Sequence, residues 1–423
     1  MTNKNKELTE KQLRVPINTI GGNNIVADSQ VVLTFKNGDL VNIDTQNAKT
    51  IDLSMFKYLR GNLDLSGFTD RLDLSNTDLS GATRIKLPKT IKELNLAGTK
   101  LPPIDLSGVT DRLDLSKTDL SGVTSIKLLK PIKELKLYGT KLPPIDLDLS
   151  GVTDRLDLSF TDLSGVKKSI KLPKTIKELN LAGAKLPPID LDLSGVTDRL
   201  DLSFSDLRAA TSIKLPEKIK ELKLAVAKLP SSDWDFSGVT DSLDLSHSGL
   251  HKATSIKLPK TIEELDLSGI KLPPFDWKLS GVTETLRLYK TDLSAAKSIE
   301  LPNKIRVLDL QSATLPKIAL DFSDVTDLLR LSCIDLSGTP SIKLPNQIKE
   351  LDLEWTTLPK TDCNFGGVTE KLYLNGADLS RATRFKLPTQ TQIKELDLEG
   401  ATLPASYVAK SKFINIIKQS RCK

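Results

Sequence analysis

Aromatic residues make up only 4% of this 423-residue chain, histidine occurs twice and cysteine three times. Any core must therefore be aliphatic. Cys333, Cys363 and Cys422 form an odd, widely spaced set without a CxxC pair. That excludes a disulfide framework or a zinc knuckle and fits a reducing compartment. His247 and His251 have a spacing that would suit zinc on a helix, but they fall where a strand pattern passes into a turn, so no metal site is expected. No glycine motif for phosphate or dinucleotide is present, and no cofactor is expected. No apolar run approaches the roughly 18 residues of a membrane span, and the opening MTNKNKELTEKQLRVPINTIGG lacks a signal-peptide core. Membrane insertion is not expected. The expected location is the cytoplasm, or a destination reached by export without a cleaved signal.

Charge of one sign is also scarce. Lys and Arg number 60 against 54 Asp and Glu, a net +6. Lysines such as Lys86, Lys89 and Lys92 interleave with Asp111, Asp154 and Asp198 in repeat phase, and few aromatics lie between them for bases to stack on. Nucleic acid is therefore not an expected partner.

At about 150 residues per domain the length suggests three domains, but repetition overrides that prior. The string LPPIDLDLSGVTDRLDLSF spans Leu142 to Phe160 and recurs unchanged from Leu186 to Phe204. Two half-units alternate, one like Val109 to Leu120 and one like Ile132 to Leu142. Each holds one Leu-x-Leu core. The first leucines fall at 72, 94, 113, 135, 156, 179, 200, 222, 243, 265, 286, 308, 329, 351, 372 and 396.

Period-two alternation, as in Glu-Leu-Asn-Leu-Ala at 93 to 97, puts both leucines on one side of a short strand. Strands returning in the same direction must pair in parallel, with a right-handed crossover. No coil can bury its leucines alone, so stability comes from stacking. The return segments are rich in proline and glycine, which points to extended, turn or brief 3₁₀ structure. Ser-Ile-Lys-Leu and Ile-Asp-Leu-Asp-Leu also alternate and suggest a second parallel ladder there.

The pattern from Ile91 through Leu94, Leu96 and Thr99 to Leu101 resembles a leucine-rich repeat, and the resemblance covers about 62 to 404. Openings such as Leu87-Pro88, Leu172-Pro173, Leu258-Pro259 and Leu344-Pro345 are similar to the LPX-type repeats of secreted bacterial effectors of the YopM and IpaH kind, and to FNIP-type repeats. The resemblance implies a curved, right-handed leucine-rich-repeat solenoid with few helices, a parallel β-sheet on the concave face and extended or 3₁₀ segments on the convex face. It also implies a protein-binding scaffold, and with it an effector delivered into a host cell. IpaH-like effectors carry a ubiquitin-ligase domain, whereas about 20 residues follow the last repeat here. No ligase, and no enzyme, is expected. A cell-surface adhesion protein is the alternative, but no signal peptide, anchor or disulfide-closed cap supports it.

The expected organisation is a disordered 1–28, an N-terminal cap with irregular strands over 29–61, a solenoid of about sixteen coils over 62–404, and a C-terminal capping helix or tail over 405–423. The asparagine usual at the ninth repeat position is replaced by threonine, as at Thr77, Thr99, Thr118, Thr140 and Thr161, or by alanine, as at Ala184, Ala227, Ala313 and Ala401. Those turns must satisfy their backbone in another way.

On the outward side, the residue before each first leucine alternates in sign: Arg71, Glu93, Arg112, Glu134, Arg155, Glu178, Arg199 and Glu221. Such a ladder sets register and neutralises itself. The C-terminal half breaks it with Thr285, Val307 and Leu328, while Arg287, Asp309, Arg330, Asp352 and Tyr373 stand between the leucines. Positions not dictated by packing are where a partner is read, and exposed Tyr, Trp and Arg resemble a binding hot spot. The expected protein-binding site comprises Arg287, Tyr289, Arg330, Trp355 and Tyr373. Trp234 and Trp277 replace Leu147 in repeat phase, which marks them as packing residues.

Overall fold

A computed structural model of the chain describes residues 10–16, 30–36, 39–44, 48–102, 104–120, 131–142, 147–165, 170–302, 304–389 and 393–408. They group into two compact units, Met1–Ile219 and Lys220–Lys423. Each unit is a parallel β-solenoid built from the leucine pairs.

In the first unit the strands align Ile51 with Leu72, then Leu94, Leu113, Leu135, Leu156, Leu179 and Leu200, rung upon rung. In the second unit Leu243 aligns with Leu265, Leu286, Leu308, Leu329, Leu351, Leu372 and Leu396. The stacking follows from the repeat itself. Nearly equal coil length returns the same apolar pair to the same place, and both leucines of nearly every coil are buried. Phe68, Phe236, Phe322 and Phe365 fill the interior behind them.

The two half-units differ by one residue. Val152-Thr-Asp-Arg155 spans the same height as Ile132-Lys-Glu134, which makes a bulge, and the Thr153 hydroxyl donates to the Ile132 carbonyl at 3.4 Å. The bulge recurs at Val109, Val196, Val282, Val325 and Val368.

The return segments do not form the continuous second ladder that their alternation suggests. They make separate two-stranded parallel sheets, such as Asp190–Asp192 with Ser212–Lys214 and Asp276–Lys278 with Ser298–Glu300. Each strand is short: Pro187-Pro188 precedes the first of these and Pro216 follows its partner, and a proline has no N–H with which to lengthen a strand. Trp234 and Trp277 are buried in these returns, and the Trp277 indole donates to the Pro273 carbonyl at 3.1 Å.

Asp-Leu-Ser, the commonest triplet of the repeat, is a turn device. In each instance among the described residues the aspartate side chain accepts the backbone N–H two residues on, as at Asp148 and Ser150 or Asp192 and Ser194, and Asp321 in the related Asp-Phe-Ser accepts from Ser323 in the same way. Lys343 and Ser323 hold the Asp321 carboxyl at about 2, and Ser66 with Lys86 does the same for Asp64.

The threonines that replace asparagine stand in a buried column. Thr99 donates to the Leu74 carbonyl of the preceding coil, Thr118 to Leu96, Thr140 to Leu115 and Thr161 to Leu137, at 2.6 to 3.1 Å. Each such carbonyl already accepts an N–H within its own turn, as Leu137 does from Thr140. The alanine coils therefore orphan nothing: the Ala184 N–H bonds Leu181 in the same way. Ser248, by contrast, buries a hydroxyl with no partner among the described residues. Thr161→Val is thus expected to cost about 1 kcal/mol, whereas Ser248→Ala costs nothing or stabilises; urea titration of each variant checks the contrast.

Near the N-terminus, Glu10–Pro16, Gln30–Lys36 and Asp39–Asp44 form a three-stranded antiparallel sheet. The first strand lies within the stretch expected to lack order, and its Gln-Leu-Arg-Val sequence has the period of a strand. Near the C-terminus a short helix, Ala405–Val408, sets the Tyr407 ring against Phe385 at 4.6 Å. The remainder of the expected capping tail, 409–423, lies outside the described residues, as do Cys422 and the rest of 1–28. Among the described residues no helix is long and apolar enough to cross a membrane.

Candidate partner-binding face

Alternation along each core strand turns two rows of side chains away from the leucines: the residue before the first leucine and the residue between the pair. In the first unit the flanking row carries the charge ladder, with Arg112 at 3.7 Å from Glu93 and 3.3 Å from Glu134, and Arg155 at 3.7 Å from Glu178. These exposed pairs fix register more than they stabilise. A depression of about 180 Å³ opens among Arg71, Glu93, Asn95, Arg112, Glu134 and Lys136. It is small beside the ~300–1,000 Å³ of small-molecule sites.

In the second unit the ladder is not lost but displaced. The row between the leucines reads Asp266, Arg287, Asp309, Arg330, Asp352, Tyr373 and Asp397, each aligned with the next. Arg330 reaches Asp309 at 3.4 Å, and Arg287 reaches Glu264 of the flanking row at 3.5 Å. The Tyr373 hydroxyl donates to Glu395 at 2.7 Å; burial, then that carboxylate, pushes the phenol up to about 12.

This displacement has a structural cost. Between the leucines, the usual residue is an Asp or Asn whose side chain accepts the N–H two positions on: Asp73 from Ser75, Asp114 from Ser116, Asp244 from Ser246, Asp309 from Gln311, Asp352 from Glu354. Arg287, Arg330 and Tyr373 carry no acceptor that can do this, and neither do Lys136 and Lys223. Folding does not ask for a cation or a phenol at these points.

Arg287, Arg330 and Tyr373 share this row, each two rungs from the next, or about 10 Å at 4.8 Å per rung. Tyr289 and Trp355 do not lie on the strand face. Tyr289 opens the following turn, half-buried, with the Lys290 ammonium 5.0 Å from its ring centroid. Trp355 occupies the turn itself with φ 52° and is 62% exposed.

That turn position, four residues after the first leucine, has left-handed backbone in all sixteen coils. Six coils use glycine there, which adopts this conformation without strain, and ten use a side chain at a cost of about 1 kcal/mol. Among the described residues most of the exposed large apolar side chains sit in this row: Phe160 at 57%, Phe204 at 60%, Val226 at 42% and Trp355. Sequence reading missed Phe160 and Phe204. The signal that finds them is the recurrence of glycine at the equivalent place, as at Gly98, Gly139 and Gly183.

The remaining reactive groups do not converge. Cys363 is buried in a return strand, and burial pushes its thiol up to about 12. Cys333 and His247 each stand in a left-handed turn, and His251 lies in the 3₁₀ turn Leu250–Lys252. Among the described residues no group of three or more His, Cys, Asp or Glu could hold a metal ion.

Parallel rungs of paired leucines and one left-handed turn per rung, bridged in the threonine coils by buried hydroxyls, decide the architecture. The chain folds as a leucine-rich-repeat solenoid. No family model and no curated protein matches it. Solved structures do. YopM from Yersinia enterocolitica WA-314 is 16% identical, with 85% of this chain and 90% of that chain covered and a TM-score of 0.37. A leucine-rich repeat protein from Eubacterium ventriosum ATCC 27560 is 12% identical, with 95% and 99% covered and a TM-score of 0.32. The chain in a TLR13–ssRNA13 complex is 14% identical, with 86% and 70% covered and a TM-score of 0.30. At such identities the likeness concerns the fold alone. The assignment to the leucine-rich-repeat solenoid rests on the ladder and its turns.

Proposed function

We propose that this leucine-rich-repeat chain is a non-enzymatic protein-interaction scaffold that docks a partner on the strand face of its second unit, with Trp355 as an anchor beside that face. One observation carries the reading: Arg287, Arg330 and Tyr373 recur at every second rung in place of the aspartate or asparagine that closes the turn in most coils, and packing gives no reason for the exchange. Their row alternates acid and base, so the matching surface is a partner segment whose charges alternate in the opposite sense. Tyr289 borders the row and adds an aromatic edge. The ion pairs already made within the row favour specificity over raw affinity, and the exposed indole supplies apolar contact. The same reading extends to an effector working in a host cytoplasm after export without a cleaved signal, supported by the Leu-Pro openings of the repeats.

The test is capture from candidate host lysate by the intact chain and by a variant carrying alanine at Arg287, Tyr289, Arg330, Trp355 and Tyr373. The variant is expected to lose the partner. Equal recovery of every captured protein by both would remove the site. For an isolated partner, Trp355→Gly is expected to weaken binding by about 30-fold, the scale of an interface hot spot. The same change leaves stability within about 1 kcal/mol, because glycine relieves the left-handed backbone as the ring contact is lost. Titration calorimetry and a denaturation curve read the two quantities separately.

A further inference from the structure

The turn row of the first unit carries a second surface, distinct from the strand face of the second unit. Along it run Lys117, Gly139, Phe160, Gly183 and Phe204, one per coil, bulky side chain alternating with glycine. The Phe160 ring lies across the Gly183 rung: a Cβ on Gly183 would come within 2.7 Å of Phe160 Cε1. Tyr138 meets Phe160 edge-on at 5.8 Å, yet 57% of Phe160 remains exposed.

Two residues further on, beyond the buried threonine column, runs a second outward row of opposite charges. Lys141 aligns with Asp162 and Asp162 with Lys185. Lys185 pairs with Asp162 at 3.2 Å. Asp206 follows in the next coil, where Arg208 already pairs with it at 2.6 Å.

Both rows alternate with the same two-coil period, which makes the edge complementary to its own reversal. A two-fold axis set between the Phe160 and Gly183 rungs, perpendicular to the row, sends each coil to the opposite half-unit of the second copy. Phe160 then falls on the Gly183 rung of the second copy, which brings the two Phe160 rings side by side at the axis, while Phe204 falls on Gly139, Asp162 meets Lys185, and Lys141 meets Asp206. A shift of one coil would set Asp against Asp and Lys against Lys.

We propose that this edge is the interface of a symmetric homodimer, closed by a Phe160–Phe160 contact and flanked by reciprocal Asp162–Lys185 pairs between copies. The contact is isologous, so it closes at two chains. An aromatic pair at the centre with charges at the rim is the usual division between affinity and specificity.

Sedimentation equilibrium of the full chain over about 1 to 100 µM, the range of modest interfaces, is the test. The intact chain is expected to self-associate as a dimer, and Phe160→Ser to weaken it by about 30-fold, as for a central hot spot. Asp162→Lys alone and Lys185→Asp alone are each expected to stay monomeric, since like charges then face one another. Mixing the two charge variants is expected to restore a dimer, because all four facing pairs become opposite. Circular dichroism of each variant confirms that it is folded. A monomeric intact chain, a dimer indifferent to Phe160→Ser, or charge variants that fail to pair on mixing would each overturn the proposal.

Discussion

Gly281→Ala is expected to destabilise the second unit by about 3 kcal/mol, the upper range for forcing atoms into a filled space. Gly281 precedes the bulged strand Val282–Arg287, and a Cβ there would fall far inside van der Waals contact with the Lys260 carbonyl oxygen of the preceding coil. The obstacle is backbone, so no rotamer change clears it. The Gly281 carbonyl also accepts the Ile262 N–H at 3.0 Å, and any shift that relieves the clash strains that bond. Gly195 and Gly367 meet the same obstacle, at Lys174 and Asn346. Gly165 has nothing within 4 Å of a built Cβ, so Gly165→Ala is the control and is expected to be near neutral. Paired chemical denaturation curves read the difference. Equal stability of the two variants would show that the coils are not held at this approach.

Leu286→Ala is expected to cost about 2–5 kcal/mol, the range for emptying a buried leucine site. Leu286 is fully buried and aligned with Leu265 below and Leu308 above. In a stacked solenoid each coil contacts mainly its neighbours, so the loss is expected to stay local. Hydrogen exchange should show lowered protection at the strands Ile262–Asp266, Val282–Arg287 and Ile305–Asp309 before it does at Val368–Tyr373. Uniform loss across the unit would mean that coils unfold together rather than by rung. The cavity acts through the core and leaves Arg287 on the outer row, which separates it from a binding defect.

The strand positions were legible because the leucine pair recurs at a fixed period and only one register buries it. The packing role of Trp234 and Trp277 was legible for the same reason: an aromatic substituting for leucine in phase goes where the leucine went. The candidate site was legible only in part. Arg287, Arg330 and Tyr373 were visible as outward residues, since period two assigns a side to each. That they continue a charge ladder displaced from the flanking row became visible only with the aligned rungs. Trp355 was grouped with them by nearness in sequence, yet its turn carries it off the strand face.

The role of Asp-Leu-Ser was hidden for another reason. An aspartate that accepts an N–H two residues on and one that merely faces water have the same sequence, and only geometry distinguishes Asp148 from an idle surface charge. By itself, the amino-acid sequence determined the repeat, the parallel rungs and the aliphatic core, because each depends on spacing along the chain. Tertiary structure decided that the return segments stop at two strands, that threonine hydroxyls bridge consecutive coils, and that Phe160 and Phe204 stand outward on left-handed turns. Those features depend on what one coil meets in the next, and a distance between coils is not written along the chain.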